Sequence, residues 1–242
     1  MFPFTRDQFF AIFAVYNAEI WPAAILAYPL ALMMLALAWH GGVRNARLVS
    51  ASLAIMWGFV GVAYHGLYFS RINLAAPVFA AAFLLQALLF ANVAATGRGI
   101  ELAGRSRVRS VVGLILILYA MIAYPLIGLL AGERYPAMPL FGVAPCPLLI
   151  FTFGLYMWAS RVRWWLWIVP LLWSLVGGGA FFLLAVPQDW GLPASALAAV
   201  ALHLLERTGR ILGPVARDGS LAADPGGMMV SVPLNSPSKD LG

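Results

Sequence analysis

A single cysteine, Cys146, and a single lysine, Lys239, are the most restrictive shortages in this chain. One cysteine cannot form an intramolecular disulfide, and it excludes the paired-cysteine signatures of zinc and haem sites. With its only lysine close to the C-terminus, the chain has no apolar segment able to carry a Schiff base. Charge is scarce too: 10% of residues are charged against 63% hydrophobic, and the mean hydropathy is +0.90. A water-soluble domain of that make-up could not cover its own exterior, whereas lipid surrounds helices that are apolar on all sides. Phosphate-binding glycine loops, His-Glu-x-x-His and Gly-x-Ser-x-Gly are missing, as are arginines at every third position. That argues against a primary pump, a membrane hydrolase of known type and a voltage sensor. An enzyme is the less favoured class, one acting on lipid stays open without a residue constellation behind it, and any cofactor is left unassigned.

What is present is a series of apolar runs at 20–39, 48–69, 74–95, 111–131, 146–160, 164–186 and 190–205. Runs of this kind predict transmembrane helices, hence an all-α, polytopic membrane helix bundle with seven spans, or six if the short last run, which opens near Pro193, stops within the membrane. The connections after runs one, three and five, with the C-terminal segment, hold twelve of the fifteen basic residues: Arg44, Arg47, Arg98, Arg105, Arg107, Arg109, Arg161, Arg163, Arg207, Arg210, Arg217 and Lys239. Only Arg6, Arg71 and Arg134 fall on the other side. Cytoplasmic enrichment in positive charge therefore puts the N-terminus outside and the C-terminus in the cytoplasm of a multi-pass cell inner membrane protein. The net charge of +6 is spread between apolar runs and forms no basic face, so nucleic acid is not a partner. The expected partner is the lipid bilayer, with a homo-oligomer or a membrane-complex subunit left open.

Three stretches are distinguished along the chain. Residues 1–19 lack the continuous apolar core of a signal peptide, but Thr5 and Gln8 have the spacing of a capping box and Phe9, Phe10 and Phe13 recur at helical spacing, which predicts an interfacial amphipathic helix. Residues 20–212 form the transmembrane helical domain. Residues 213–242, rich in Gly, Pro, Ser and Asp, read as a disordered cytoplasmic tail.

Chemistry concentrates at the outer ends of the runs. Around Cys146, Pro136, Pro139 and Pro145 impose an extended approach, and Pro147 suits a first helical turn. A thiol beside the free amides of a helix N-terminus is favoured as thiolate, although a small buried hydrophobe is the plainer explanation. Glu19, His65, Asn73, Glu133, Gln188 and Asp189 reach the same level, where headgroups and water alone would account for most of them. Tyr64, His65 and Tyr68 make a polar stripe in an apolar helix, and an imidazole there titrates near neutrality or ligates a metal. Gln86 is the one large polar group at membrane depth; it either faces a solute or hydrogen-bonds a neighbouring helix. Pro29 and Pro125, each within an Ala-Tyr-Pro-Leu tetrapeptide, remove a backbone donor and are expected to bend their helices in the outer half of the membrane.

The segments Trp57-Gly58 through Tyr64-His65, Tyr124-Pro125, Tyr135-Pro136, Phe141-Gly142, Pro145-Cys146-Pro147, Phe151-Thr152-Phe153-Gly154, Pro170 to Ser174 and Gln188-Asp189 resemble those of a bacterial family of multi-pass membrane proteins known only as a domain of unknown function. The resemblance covers about residues 4–205 and implies the fold without an activity. Hydroxyl residues follow Pro-Cys-Pro in that family, whereas this chain has Leu148 and Leu149, so no polar path along span five is implied.

Three functional readings follow. The leading one is a small solute or ion transporter with an outer vestibule built from Glu19, Tyr64, His65, Gln86, Cys146 and Asp189. The second is a metal-binding or redox protein with His65 and Cys146 as ligands and Glu19, Glu133 or Asp189 completing the sphere. The third is a structural or assembly subunit of a membrane complex, docked through glycine faces.

Overall fold

A computed structural model describes residues 3–104 and 106–207, so the expected tail and the basic residues Arg105, Arg210, Arg217 and Lys239 lie outside the described residues. The architecture is all-α apart from one very short ribbon. Helix α1 (Arg6–His40) opens on a complete capping box: the Thr5 hydroxyl accepts from the Gln8 amide at 3.3 Å, and Gln8 Oε1 accepts from the Thr5 amide at 2.9 Å. It then runs unbroken through Pro22 and Pro29 for 35 residues, roughly 50 Å. The expected surface helix and the first apolar run are thus a single rod. Its aromatic face packs inward against the bundle: Phe9 and Phe13 are buried, and Phe13 stacks on Tyr64 with centroids 5.0 Å apart.

Two glycines with positive φ, Gly41 (68°) and Gly42 (91°), turn the chain into α2 (Val43–Phe59). A Cβ at Gly41 would sit 2.6 Å from the Leu102 carbonyl oxygen, so only glycine fits there. Helix α2 continues as a π-helix over Val60–Tyr68 and a 3-10 turn over Phe69–Arg71. Next come α3 (Ala76–Thr96) and α4 (Arg107–Leu118), the latter capped by the Ser106 hydroxyl. A π-turn over Tyr119–Ala123 joins α4 to α5 (Tyr124–Leu130). The remaining helices are α6 (Pro145–Trp158), α7 (Ile168–Gly177), α8 (Gly179–Leu183) and α9 (Gly191–Arg207), with a 3-10 turn over Pro187–Trp190 before the last.

Among the described residues, five helical segments are long and apolar enough to cross a bilayer: Arg6–His40, Val43–Arg71, Ala76–Thr96, Arg107–Leu130 and Trp164–Leu183. Large apolar side chains such as Leu32, Ile55, Leu88, Ile115 and Leu175 project outward from them, as a lipid-facing perimeter requires. Helices α6 and α9 are shorter, at 14 and 17 residues. Every residue of α6 except Cys146 is buried, so this helix is the axis around which the others pack. The segment ahead of it folds inward as well. Tyr16 donates to the Val143 carbonyl (2.8 Å), Asn17 Nδ2 donates to the carbonyls of Pro136 and Met138 (2.7 Å each), and Phe141 packs on Tyr28.

Prolines free carbonyls inside this bundle, and side chains from other helices occupy them. The carbonyl four residues before a proline loses its helical donor. Ahead of Pro125 that carbonyl belongs to Met121, which accepts from the Tyr28 hydroxyl at 3.1 Å. The Val143 carbonyl, just ahead of the α6 N-cap Ala144, accepts from Tyr16. The Leu166 carbonyl, just ahead of the α7 N-cap Trp167, accepts from Tyr156 (2.9 Å) and from Gln86 Nε2 (3.3 Å). Pro125, expected only to bend its helix, therefore also leaves a carbonyl that fixes a neighbour's side chain.

The connections sort to two ends. Strands β1 (Ile100–Glu101) and β2 (Arg161–Val162) pair antiparallel, and the Gly42 amide donates to the Leu102 carbonyl at 2.8 Å. The arginine-bearing connections after α1, α3 and α6 thereby meet at one end. There the buried Arg109 donates to the Met157 and Tyr156 carbonyls and pairs with Glu206 at 2.7 Å, holding α4, α6 and α9 together. The opposite end is built from 3–5, 69–76, 131–146 and 184–190.

Candidate functional site

A cavity of about 220 Å³ lies within this second end. Its walls are aromatic: Phe9 and Phe13 from α1, Tyr64 and Phe69 from the continuation of α2, Phe79 from α3, and Trp173 from α7. Two chemically active groups face it, Cys146 at the start of α6 and Asp189 in the 3-10 turn before α9. The prolines around Cys146 set the first of these, because Pro145 opens α6 and fixes where its first turn points.

Asp189 is 1% exposed. Its Oδ1 accepts from the Tyr124 hydroxyl at 2.5 Å, and the Cys146 thiol donates to the same carboxylate. Burial pushes this carboxyl up from 3.8 to about 7, against those two hydrogen bonds, which pull it down; the nearby Glu133 adds to the rise. The expected thiolate at Cys146 does not suit these surroundings. The neighbour is a carboxylate and not a cation, so Cys146 serves as a hydrogen-bond donor. Trp173 turns its indole toward the same sulfur, and its buried Nε1 meets no other acceptor among the described residues.

Behind Asp189 stands a second acid. Glu133 receives both of its carboxylate contacts from Gln188 Nε2 at 2.9 Å, and Tyr119 fixes the Gln188 carbonyl at 2.7 Å. Burial raises the Glu133 carboxyl above its ordinary range, opposed by Gln188 and by Arg6. Its other side borders an open polar cleft with Arg6, Asp7 and Arg134. Gly128 makes room for the pair, since a Cβ there would lie 2.7 Å from Glu133 Oε2 and 3.0 Å from Gln188 Nε2.

Of the six residues expected to form a vestibule, three line this cavity: Tyr64, Cys146 and Asp189. His65 is fully buried just behind the wall, enclosed by Phe83 (4.6 Å), Trp173 (4.8 Å) and Tyr64 (5.0 Å), with neither ring nitrogen hydrogen-bonded among the described residues. Glu19 is exposed and accepts a hydrogen bond from Tyr68. Gln86 points to the Leu166 carbonyl, away from the cavity, so of its two expected roles it has the helix-to-helix bond. Among the described residues no three His, Cys, Asp or Glu side chains come together as a metal site; Cys146 meets Asp189, and His65 joins neither. Tyr124 and Trp173 stood in the sequence only within the Tyr124-Pro125 and Pro170 to Ser174 segments of the family resemblance, with no site role given to either.

The fold and the cavity define an all-α membrane helix bundle with a buried carboxyl and thiol in an aromatic chamber at one end. Within that class, the chain belongs to a family of unknown function, DUF6064, whose model matches residues 6–211. No curated protein and no solved structure matches it.

Proposed function

We propose that this protein is a small-solute permease of the cell inner membrane, with seven crossings, the N-terminus outside and the solute site in the Asp189 cavity. The carrying observation is the convergence of Cys146, Tyr124 and Asp189, from three separate segments, on one aromatic chamber. Binding sites are mostly apolar concavities with a few convergent polar groups, and an acid held near neutrality is suited to release and recapture a proton as a solute enters. The arginine-bearing connections supply the cytoplasmic end. The enclosure of α6 explains how a 14-residue helix could serve as a crossing, since it has no lipid-facing side to match to the hydrocarbon.

The test is flux in liposomes carrying the full chain and an internal pH dye, with a panel of cationic, anionic and neutral solutes. One class is expected to move and to displace the pH signal, with Asp189→Asn reducing the flux at least tenfold. A panel in which nothing moves faster than through empty liposomes overturns the proposal.

A further inference from the structure

We infer that the occupant of the Asp189 cavity is a small organic monocation, an ammonium head on one ring-sized apolar body. This rests on reading the cavity as a solute site. The argument begins with charge. Among the described residues Asp189 is the only charged one lining the chamber, and no described Arg, Lys or His faces it. The groups around its carboxylate are neutral or acidic from every direction: Tyr124 from α5, Tyr119 from the π-turn, Cys146 from α6, Tyr64 from the π-helix and Glu133 from the connection after α5. A buried carboxylate without a counter-charge is costly. It can be relieved by a proton or by a cation, and by only one of them at a time.

The walls favour the cation. Six-membered ring faces carry negative potential, and stacked or edge-on aromatics attract an ammonium group that has left water. Here Phe13 stacks on Tyr64 at 5.0 Å, and Phe79 meets Trp173 edge-on at 5.1 Å. An anion would face both the carboxylate and the ring faces unfavourably. A neutral solute would leave Asp189 as it found it. Size sets the rest: an apolar cavity of roughly 150 Å³ holds a benzene, so about 220 Å³ admits a ring and a small alkylammonium head.

Equilibrium binding to the full chain in lipid nanodiscs tests this, with benzyltrimethylammonium as probe, neopentylbenzene as its neutral isostere and benzenesulfonate as the anion. The cation is expected to bind at pH 8.5 at least tenfold tighter than either control and at least tenfold tighter than it does itself at pH 5.5. Asp189→Asn is expected to lose that preference while still binding the neutral isostere. Equal binding of cation and isostere at pH 8.5 overturns the inference, as does cation binding unchanged between the two pH values, which needs no variant. Flux separates the two proposals. Cation binding without transport removes the permease and leaves the site; transport of a neutral or anionic solute without cation binding does the reverse.

Discussion

Asp189 gives the most direct measurement at the scale of a single residue. Its carboxyl is protonated more readily in the fold than in the unfolded chain. Below about pH 4 both states hold the proton, and above about pH 7 neither does. Between those limits the folded state keeps a proton that the unfolded state has lost, so stability falls as pH rises, by on the order of 4 kcal/mol for a shift of this size. Melting in detergent should therefore drop from pH 4.5 to pH 7.5 in the wild type, and Asp189→Asn should flatten that slope and melt higher than wild type at pH 8. A second variant locates the cause. Tyr124→Phe removes a donor that favours the ionised acid, so the midpoint of the pH transition should move upward, whereas Cys146→Ser retains a donor and should shift it little. An unchanged midpoint in Tyr124→Phe would remove this account of the pair. The types Cys146 and Asp189 were legible in the sequence because prolines and run ends mark them. Their partnership was not, since residues 146 and 189 meet only through the packing of α5, α6 and the turn before α9.

At the scale of the element, the helices are more irregular than their apolar runs imply. Hydrophobic runs announce a helix but say nothing of the π-turns over Val60–Tyr68 and Tyr119–Ala123, because those depend on which backbone donors are satisfied elsewhere. The same bookkeeping explains Gln86. As a lone amide at membrane depth it was open to a solute or to a neighbouring helix, and it serves the Leu166 carbonyl ahead of α7. Tyr28 and Pro125 test the rule by a double-mutant cycle. Tyr28→Phe should cost about 1 kcal/mol by leaving the Met121 carbonyl without a donor. In a Pro125→Ala background the restored amide at position 125 can take that carbonyl, so the same change should cost close to nothing. Additive costs in the two backgrounds would break the link. Close helix approach gives a companion prediction. A Cβ at Gly154 would lie 2.7 Å from Ile117 Cγ1 and 3.0 Å from the Gly113 carbonyl oxygen, so Gly154→Val should lower stability by about 1–3 kcal/mol through forced separation of α4 and α6. Gly104→Ala, with nothing within 4 Å, should be silent in the same melting experiment.

At the scale of the whole molecule, alternating charge was the clearest sequence signal of which connections share an end, because basic loop residues are biased to one side of a membrane however the helices pack. The described connections after α1, α3 and α6 do gather at one end through the β1–β2 ribbon and the Leu102 carbonyl, which a count of arginines could only imply. Helix α6 was harder to read, since its apolar run looks like any other span while its 14 residues are enclosed on nearly every side. The proposed threading has a consequence that this geometry makes easy to measure. Gly104 and Ala131 are both exposed, at opposite ends of the α4–α5 segment. In a Cys146→Ala background, Ala131→Cys should react with a membrane-impermeant maleimide added to whole cells whose outer membrane has been permeabilised, and Gly104→Cys should react only after the inner membrane is opened. Reversed labelling would turn the bundle over and place the Asp189 cavity toward the cytoplasm. Labelling of both from one side would mean that the α4–α5 rod does not cross, and the seven-span arrangement would fail with it.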